Sequence, residues 1–417
     1  MKEFLAVVKN THPNIWDVWM KLSESSQTVW VGGGVRNCFL KIPPSDIDLA
    51  TSLTPDEIIQ VADQEGWRAD QVGAAFGVVV IRNGEDQIEV ATFRTEGYGE
   101  DPHRPEWVEF GVSLEDDLAR RDFTMNGMAL TIEGELIDPF GGAQDIKEKI
   151  IRTIGKGEER FMEDALRMLR AVRFASRFNF KIAEETRESI CRLAPKVAQL
   201  SQERITEEME KILLSEYGEV GWNLLDSLGL GQAMFLDHWK KGTSGVALTY
   251  LPKVRVLRWA FLGFALSPQV LDLKGLDRKL INQATWLAQE GLVRWEGLET
   301  LRKWSKMSVF PNFGALIEGV LLWRSFREAI LGSDLSLNEQ LGIIEIFREI
   351  PFYPAQLKVN GNQVGEIVGA GKLVGQALDF LLYQVQEGFV ANETEELLKY
   401  LIEKKVERNT ENLISKE

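Results

Sequence analysis

The succession of apolar and polar positions changes character about a third of the way along the chain. Residues 3–24 repeat apolar positions at helical spacing and predict a helix, and the short apolar run over 28–33 predicts a strand. In "TPDEIIQVADQEG", Thr54 stands as N-cap, Pro55 occupies the first helical position and acids fill the first turn, which predicts a helix. "GVVVIRNGEDQIEVATF" reads as a hairpin with Asn83-Gly84 in its turn. Two more strands are expected near 122–130 and 134–138. From about residue 143 the period becomes almost entirely helical, and β-branched runs fade. Seven of the 12 tryptophans lie between Trp222 and Trp323, and we read them as the core of a helical body rather than a stacking platform for bases. "FREIPFYPAQ" reads as a linker before a last helical segment. The fold class is α+β: a head with a small mixed sheet, then all-helical segments.

Composition narrows the setting. A chain of 417 residues should hold two to four domains, at about 150 residues each. No apolar run reaches transmembrane length, and the N-terminus lacks the apolar stretch of a signal peptide. Two cysteines, Cys38 and Cys191, exclude a disulfide framework and a cysteine metal cage, so a cytoplasmic setting is expected. The net charge of −15 argues against broad nonspecific binding of nucleic acid. It leaves room for a local basic patch. Residues 150–181 carry eight Lys or Arg against four acids, which fits one RNA held in one place.

The candidate chemistry begins at "VWVGGGVRNCFLKIPPSDIDLAT", residues 29–51. Side chains at i and i+2 of a strand share a face, so Asp46 and Asp48 would converge. Two bare carboxylates that close repel unless a cation sits between them or one is protonated. Hard oxygen ligands suit Mg²⁺, and "DQIEVATF" offers Glu89 as a third carboxylate from a neighbouring strand. Taken alone, Asp-x-Asp is common, and the pair fits a solvated edge strand better than a metal site. The glycines before it let backbone N–H groups approach an anion closely.

Further stretches follow in order: "RRDFTMNGMAL" at 120–130, "DPFGG" at 138–142, "RFMEDALRMLRAVRF" at 160–174 and "SQERITEEMEKILL" at 201–214. Together with the glycine turn and the aspartates, they resemble the class II tRNA nucleotidyltransferases: bacterial CCA-adding enzymes and their poly(A) polymerase relatives. The resemblance covers roughly the first 215 residues closely and the tail more loosely. It implies a polymerase β-like catalytic head at 1–149, a neck at 150–215 with a nucleobase-selecting helix, a body at 216–340 and a tRNA-binding tail at 341–417. It implies addition of CCA to the 3′ end of tRNA from CTP and ATP with release of pyrophosphate, Mg²⁺ as cofactor, and no obligate protein partner. By motif position, Asp46 and Asp48 become metal ligands with Glu89 completing the catalytic carboxylates. Gly33, Arg36, Arg121, Asp122, Asp164, Arg167, Arg170 and Arg173 become nucleotide contacts, with Glu163 and Asn126 in support.

The neck helix also has a direct physical reading. Asp164 and Arg167 stand three apart, as neighbours on one helix face. An Asp accepts and an Arg donates. Cytosine and adenine both offer an amino donor beside a ring acceptor, whereas guanine and uracil offer the reverse. One Asp–Arg pair therefore suits C and A and rejects G and U. Glu163 can steady Arg167 at i+4, and Arg170 and Arg173 continue the row toward phosphates. A salt-bridged helix surface is the competing reading of these residues.

The chain departs from the family pattern at Asn37, where Asp is usual after "VR", and at Gly127, where alanine is usual. The stretch "FRTEGYGEDPHRPEWVEF" is full length, whereas the CC-adding relatives have a shortened one, which favours an enzyme able to add A. Ala74 and Ala75 stand where the poly(A) polymerases tend to carry an arginine pair, which argues against that activity. CCA addition is the first choice, and addition of the terminal A alone, whose motifs look nearly the same, is the second. The stretch at 95–105 is expected to act as a lever when the site changes from C to A.

Overall fold

The computed structural model describes residues 2–43, 47–71, 77–98, 105–240, 242, 244–292, 295–332 and 337–414. The chain divides into two compact units, 1–249 with 272–276 and 250–271 with 277–417.

The first unit opens with α1 (Lys2–Thr11) and α2 (Pro13–Ser25) rather than one helix. Pro13 lacks an N–H and restricts His12 before it, so it starts a new helix instead of continuing the old one. There follow β1 (Thr28–Val31), α3 (Gly33–Leu40), β2 (Asp48–Thr51), α4 (Pro55–Gln64), β3 (Arg68–Gln71), β4 (Val78–Asn83) and β5 (Asp86–Thr92). Thr54 and Glu57 exchange the two bonds of a capping box at the start of α4. The β4–β5 hairpin closes on the pair Asn83↔Asp86, so its loop residues are Gly84 and Glu85. Gly84 has φ +62°, which is what the first position of a II′ turn demands. Asn83 is instead a flanking residue that donates to the Asn14 carbonyl at 3.1 Å.

Next come β6 (Arg94–Tyr98), β7 (Pro105–Phe110), α5 (Leu114–Ala119), β8 (Ala129–Leu130) and β9 (Leu136–Ile137). The strand expected over 122–130 is present only at its end. Asp122 Oδ1 accepts from the Phe123 N–H and from Asn126 Nδ2, both at 2.8 Å, and Thr124–Asn126 turn as a 3₁₀ helix. Such local side-chain bonds compete with a strand ladder. The main sheet runs β3-β4-β5-β2-β1-β8-β9, with β2 and β5 parallel and the other pairs antiparallel. Val29, Val31, Ala50 and Ala129 of this sheet pack with Phe93, Leu114 and Leu118.

The rest of the unit is helical apart from one short parallel pair. Its elements are α6 (Gly142–Glu148), β10 (Ile150–Ile151), α7 (Gly157–Glu163), α8 (Leu166–Phe178), β11 (Lys181–Ile182), α9 (Glu184–Leu193) and α10 (Gln202–Leu213), with further helices beyond. Phe178 and Phe180 at the end of α8 bring β11 back beside β10.

The described part of the second unit is helical. Its core is aromatic: Trp304 lies 4.8 Å from Trp286 and 5.2 Å from Trp323 between ring centroids, both edge-on. The burial of these tryptophans agrees with their reading as core. The expected linker is packed rather than loose. Phe352 is buried 5.6 Å from the Phe347 ring, and Tyr353 Oη donates to the Phe310 carbonyl at 2.8 Å. Helices Gly361–Val368, Lys372–Gln386 and Thr394–Ile414 close a separate apolar cluster around Val364, Leu381 and Leu397. Among the described residues, no helix is long and apolar enough to cross a membrane.

Candidate active site

The site starts at the turn between β1 and α3. Gly32 has φ +73°, a backbone conformation that favours glycine, and a Cβ there would crowd Arg121 Nη1 at 3.2 Å. The β1–β2 register sets Val31 opposite Asp48, which places the first residue of β2 beside this turn. In the parallel β2–β5 pairing, Leu49 stands opposite Val90. One step back along the same register, Asp48 comes beside Glu89. Leu49 and Val90 are buried while Asp48 and Glu89 are exposed, as the alternation of a half-buried sheet requires. The structure therefore brings two of the three expected carboxylates together at the glycine turn. Asp46 lies outside the described residues, and β2 begins only at Asp48. Among the described residues, no three His, Cys, Asp or Glu side chains gather to hold a metal ion.

A hydrogen-bonded chain runs from the turn to the neck. Arg36, on the first turn of α3, is 4% exposed. Its Nη1 donates to Asn126 Oδ1 at 2.7 Å and its Nη2 to Asn37 Oδ1 at 3.1 Å. Asn126 Nδ2 donates to Asp122 Oδ1, and Asp122 Oδ2 accepts from Arg170 Nε at 2.7 Å. Arg36 thus meets neutral amides directly and reaches a carboxylate only through Asn126. Its guanidinium also lies over the Phe174 and Phe178 rings, 5.2 and 5.0 Å from their centroids. Burial, with Arg177, Arg173 and Arg170 nearby and Asp122 opposing, brings it down to about 10. Burial pushes the Asp122 carboxyl up, but Arg170 and the bonds from Asn126 and Phe123 outweigh it and hold the group below its ordinary value.

Arg121 is fixed from behind. Its Nη2 donates to Asp117 Oδ2 at 3.1 Å, while Arg120 Nη2 donates to Asp117 Oδ1 at 2.9 Å. Asp117 is almost wholly buried; burial raises its carboxyl, and Arg121 and Arg120 more than offset that. Gly127 closes against Ile154, whose Cδ1 would stand 2.5 Å from an added Cβ, so the larger Ile154 fills the space an alanine would need.

The two residues expected to read the base do not share one helix. α7 ends at Glu163, and Asp164 has an extended backbone (φ −150°) before α8 begins. Asp164 Oδ1 accepts from the Leu166 N–H at 3.0 Å, a local bond two residues on that favours a break over helix continuation. Its Oδ2 accepts from Arg204 Nη2 at 2.8 Å, across from α10. Arg167 is buried; Nη1 donates to Glu163 Oε2 at 2.6 Å and Nη2 to the Arg120 carbonyl at 3.2 Å. Glu163 therefore does hold Arg167 at i+4. Arg173 Nη1 donates to Glu208 Oε1 at 3.2 Å. Within this cluster, sequence reasoning missed Asp117, Arg204, Glu208 and the Phe174–Phe178 platform. Asp117 had a signal, standing four residues before Arg121 in the first turns after a capping serine. Arg204 and Glu208 had only their place in the quoted "SQERITEEMEKILL".

Known proteins give the same frame. A family model for the poly A polymerase head domain matches residues 28–152, and one described as a probable RNA and SrmB-binding site of polymerase A matches 179–241. The CCA-adding enzyme of Geobacillus stearothermophilus is 37% identical over 386 residues, spanning 90% of this chain and 92% of its own. That of Bacillus subtilis is 32% identical over 399 residues, spanning 90% and 94%. The crystal structure of the Bacillus stearothermophilus CCA-adding enzyme in complex with CTP is 33% identical with a TM-score of 0.78, covering 96% of this chain and 98% of that one. Likeness at this level runs through both units, so the chain belongs to the bacterial CCA-adding enzymes, which are tRNA nucleotidyltransferases.

Proposed function

We infer that this protein adds C, C and A in turn to the 3′ end of tRNA, drawing on CTP and ATP and releasing pyrophosphate. The observation that carries this reading is the register that sets Asp48 beside Glu89 and against the glycine turn. The relatives matched over nine-tenths of the chain are CCA-adding enzymes, which disfavours addition of the terminal A alone.

Asp48 and Glu89 present hard carboxylate oxygens on one exposed sheet face, a donor set that fits Mg²⁺, with Asp46 as the third ligand by motif position. A metal held there would supply the charge that eases attack by the RNA 3′-hydroxyl and offsets that of the departing pyrophosphate. The remaining work belongs to the chain. The N–H groups opening α3 face the triphosphate, with the Arg36 charge behind them and Arg121 held at Gly32 by Asp117. Asp164 accepts from the amino group of C or A, and Arg167 donates to the adjacent ring acceptor. Both keep capacity for this. A carboxylate has about four acceptor sites and a guanidinium five N–H donors, more than their protein partners use. Arg170 and Arg173 continue along α8 toward phosphates.

The test uses transcripts ending at the discriminator base, at C and at CC, each with CTP and ATP separately. The expected outcome is C added to the first two and A only to the third. An enzyme that extends only the CC-ended transcript would overturn the reading in favour of terminal-A addition.

A further inference from the structure

A cavity of about 660 Å³ opens where the C-terminal end of α3 meets α6 and the return from α8 to β11. It begins about 10 Å along α3 from Gly33, at 1.5 Å per residue. Its apolar floor is Phe39, Leu40 and Phe180, and its rim carries Lys147 and Lys149. Asp138 also lines it, but its two carboxylate oxygens accept from the Gly142 and Ala143 N–H groups at 2.7 and 2.9 Å.

Three more cations flank the floor. Lys41 directly follows Leu40. Lys181 is tied to Lys149 by its backbone N–H, which donates to the Lys149 carbonyl at 2.9 Å. Arg177 lies 5.2 Å from the Phe178 ring, itself 5.7 Å from the Phe180 ring. All five cations are exposed, and none has a carboxylate partner among the described residues. Glu148, between Lys147 and Lys149, accepts from Gln144 instead. The other arginines of α8 and α10 are matched: Arg167 with Glu163, Arg170 with Asp122, Arg173 with Glu208, Arg204 with Asp164.

In a chain of net charge −15, five unmatched cations around an apolar floor that half-exposes Phe39 and Leu40 call for a polyanion that also offers flat apolar surface. We infer that this groove holds the sugar–phosphate backbone of the tRNA acceptor end. Lys147, Lys149 and Lys181 contact phosphates, and the half-buried Phe39 and Leu40 support ribose or base. The inference rests on the CCA-adding reading and extends it to where the RNA lies.

The test compares the wild-type protein with the variant Lys147→Gln/Lys149→Asn/Lys181→Gln. Asn is chosen at 149 because Lys149 has φ +59°, which Asn tolerates. Binding of a transcript ending at the discriminator base is measured across a salt series, and the KM for CTP at saturating transcript. The expected result is an affinity about tenfold weaker or more, with the slope of log affinity against log salt reduced by about 0.9 per lost contact, and an unchanged KM for CTP. Unchanged affinity and slope would overturn the inference. So would weaker binding with an unchanged slope, which marks lost structure rather than lost phosphate contacts. A wild-type protein that incorporates neither CTP nor ATP would instead overturn the function itself.

Discussion

The two units differ in the charge they bury. The first buries Arg36, Asp117, Asp122, Arg167 and Glu208, all below a tenth exposed and joined by directed bonds. Both enclose aromatic rings, Trp19, Trp30 and Trp222 in the first and Trp259, Trp304 and Trp323 in the second, but among the described residues the second buries a single charged side chain, Arg258, which donates to the Leu251 and Pro252 carbonyls. A buried ion pair contributes little net stability against an apolar replacement of the same shape, while an aromatic core contributes a great deal. The first unit therefore carries buried charge that stability alone does not call for, and the proposed nucleotide roles give it a use. Four substitutions sharpen or break this contrast.

The largest expected effect is on chemistry alone. Asp48→Ala should lower incorporation of both CTP and ATP at least about a thousandfold, about 4 kcal/mol of barrier, while tRNA affinity and the urea midpoint change little. Single-turnover rates check it, and near-normal turnover would remove Asp48 from the catalytic set. Next, Trp304→Ala in the second unit should cost about 3–5 kcal/mol of stability through cavity formation. Activity per folded molecule should be kept at low temperature, so a matching loss of rate in folded protein would break the contrast.

Asp122→Asn touches both stability and rate. It leaves Arg170 facing a neutral amide and weakens the support of Arg36 through Asn126. We expect a loss of about 2–3 kcal/mol, toward the low end for a broken buried pair because Arg170 is a third exposed, together with a raised KM for both nucleotides. The pH dependence has a defined sign. The folded protein holds the Asp122 and Asp117 carboxyls below their ordinary values. Their contribution is therefore complete above about pH 4 and is lost as pH falls below that. Urea midpoints from pH 7 to 3 should show this acid loss, and Asp122→Asn should show less of it. The smallest effect is expected for Arg204→Gln. Removing the charge that orients the Asp164 carboxylate should lower the ratio of kcat/KM for CTP and ATP over UTP and GTP by about tenfold. An unchanged ratio would mean that Asp164 is oriented by its bond to Leu166 alone.

Sequence legibility followed the range of the interactions. The strand–glycine turn–helix unit, the Thr54 cap, the β4–β5 hairpin and the tryptophan core could be read because each depends on residues close in sequence or on a simple period. The break at Asp164 went unseen because "FMEDALRML" scans as continuous helix, and a single side-chain-to-backbone bond decides otherwise. Asn83-Gly84 marked the right hairpin but the wrong loop pair, since the register fixes which residues are left unpaired. The bridge from Asn37 through Arg36, Asn126 and Asp122 to Arg170 spans three separate motifs. Nothing in a single sequence tells which of its polar residues face one another across 90 positions. Parts of the expected site and lever, Asp46 and residues 99–104, lie outside the described residues.

That bridge has a consequence for anyone designing nucleotide analogues against this enzyme. On the roles proposed above, its near end stands behind the turn that faces the phosphates, and its far end is the arginine three places from the one that reads the base. A ligand that shifts Arg36 by altering its phosphate end changes the restraint on Asp122 and hence on α8. Modifications at the triphosphate and at the base will therefore not contribute independently, and affinities of combined analogues will depart from the sum of their parts.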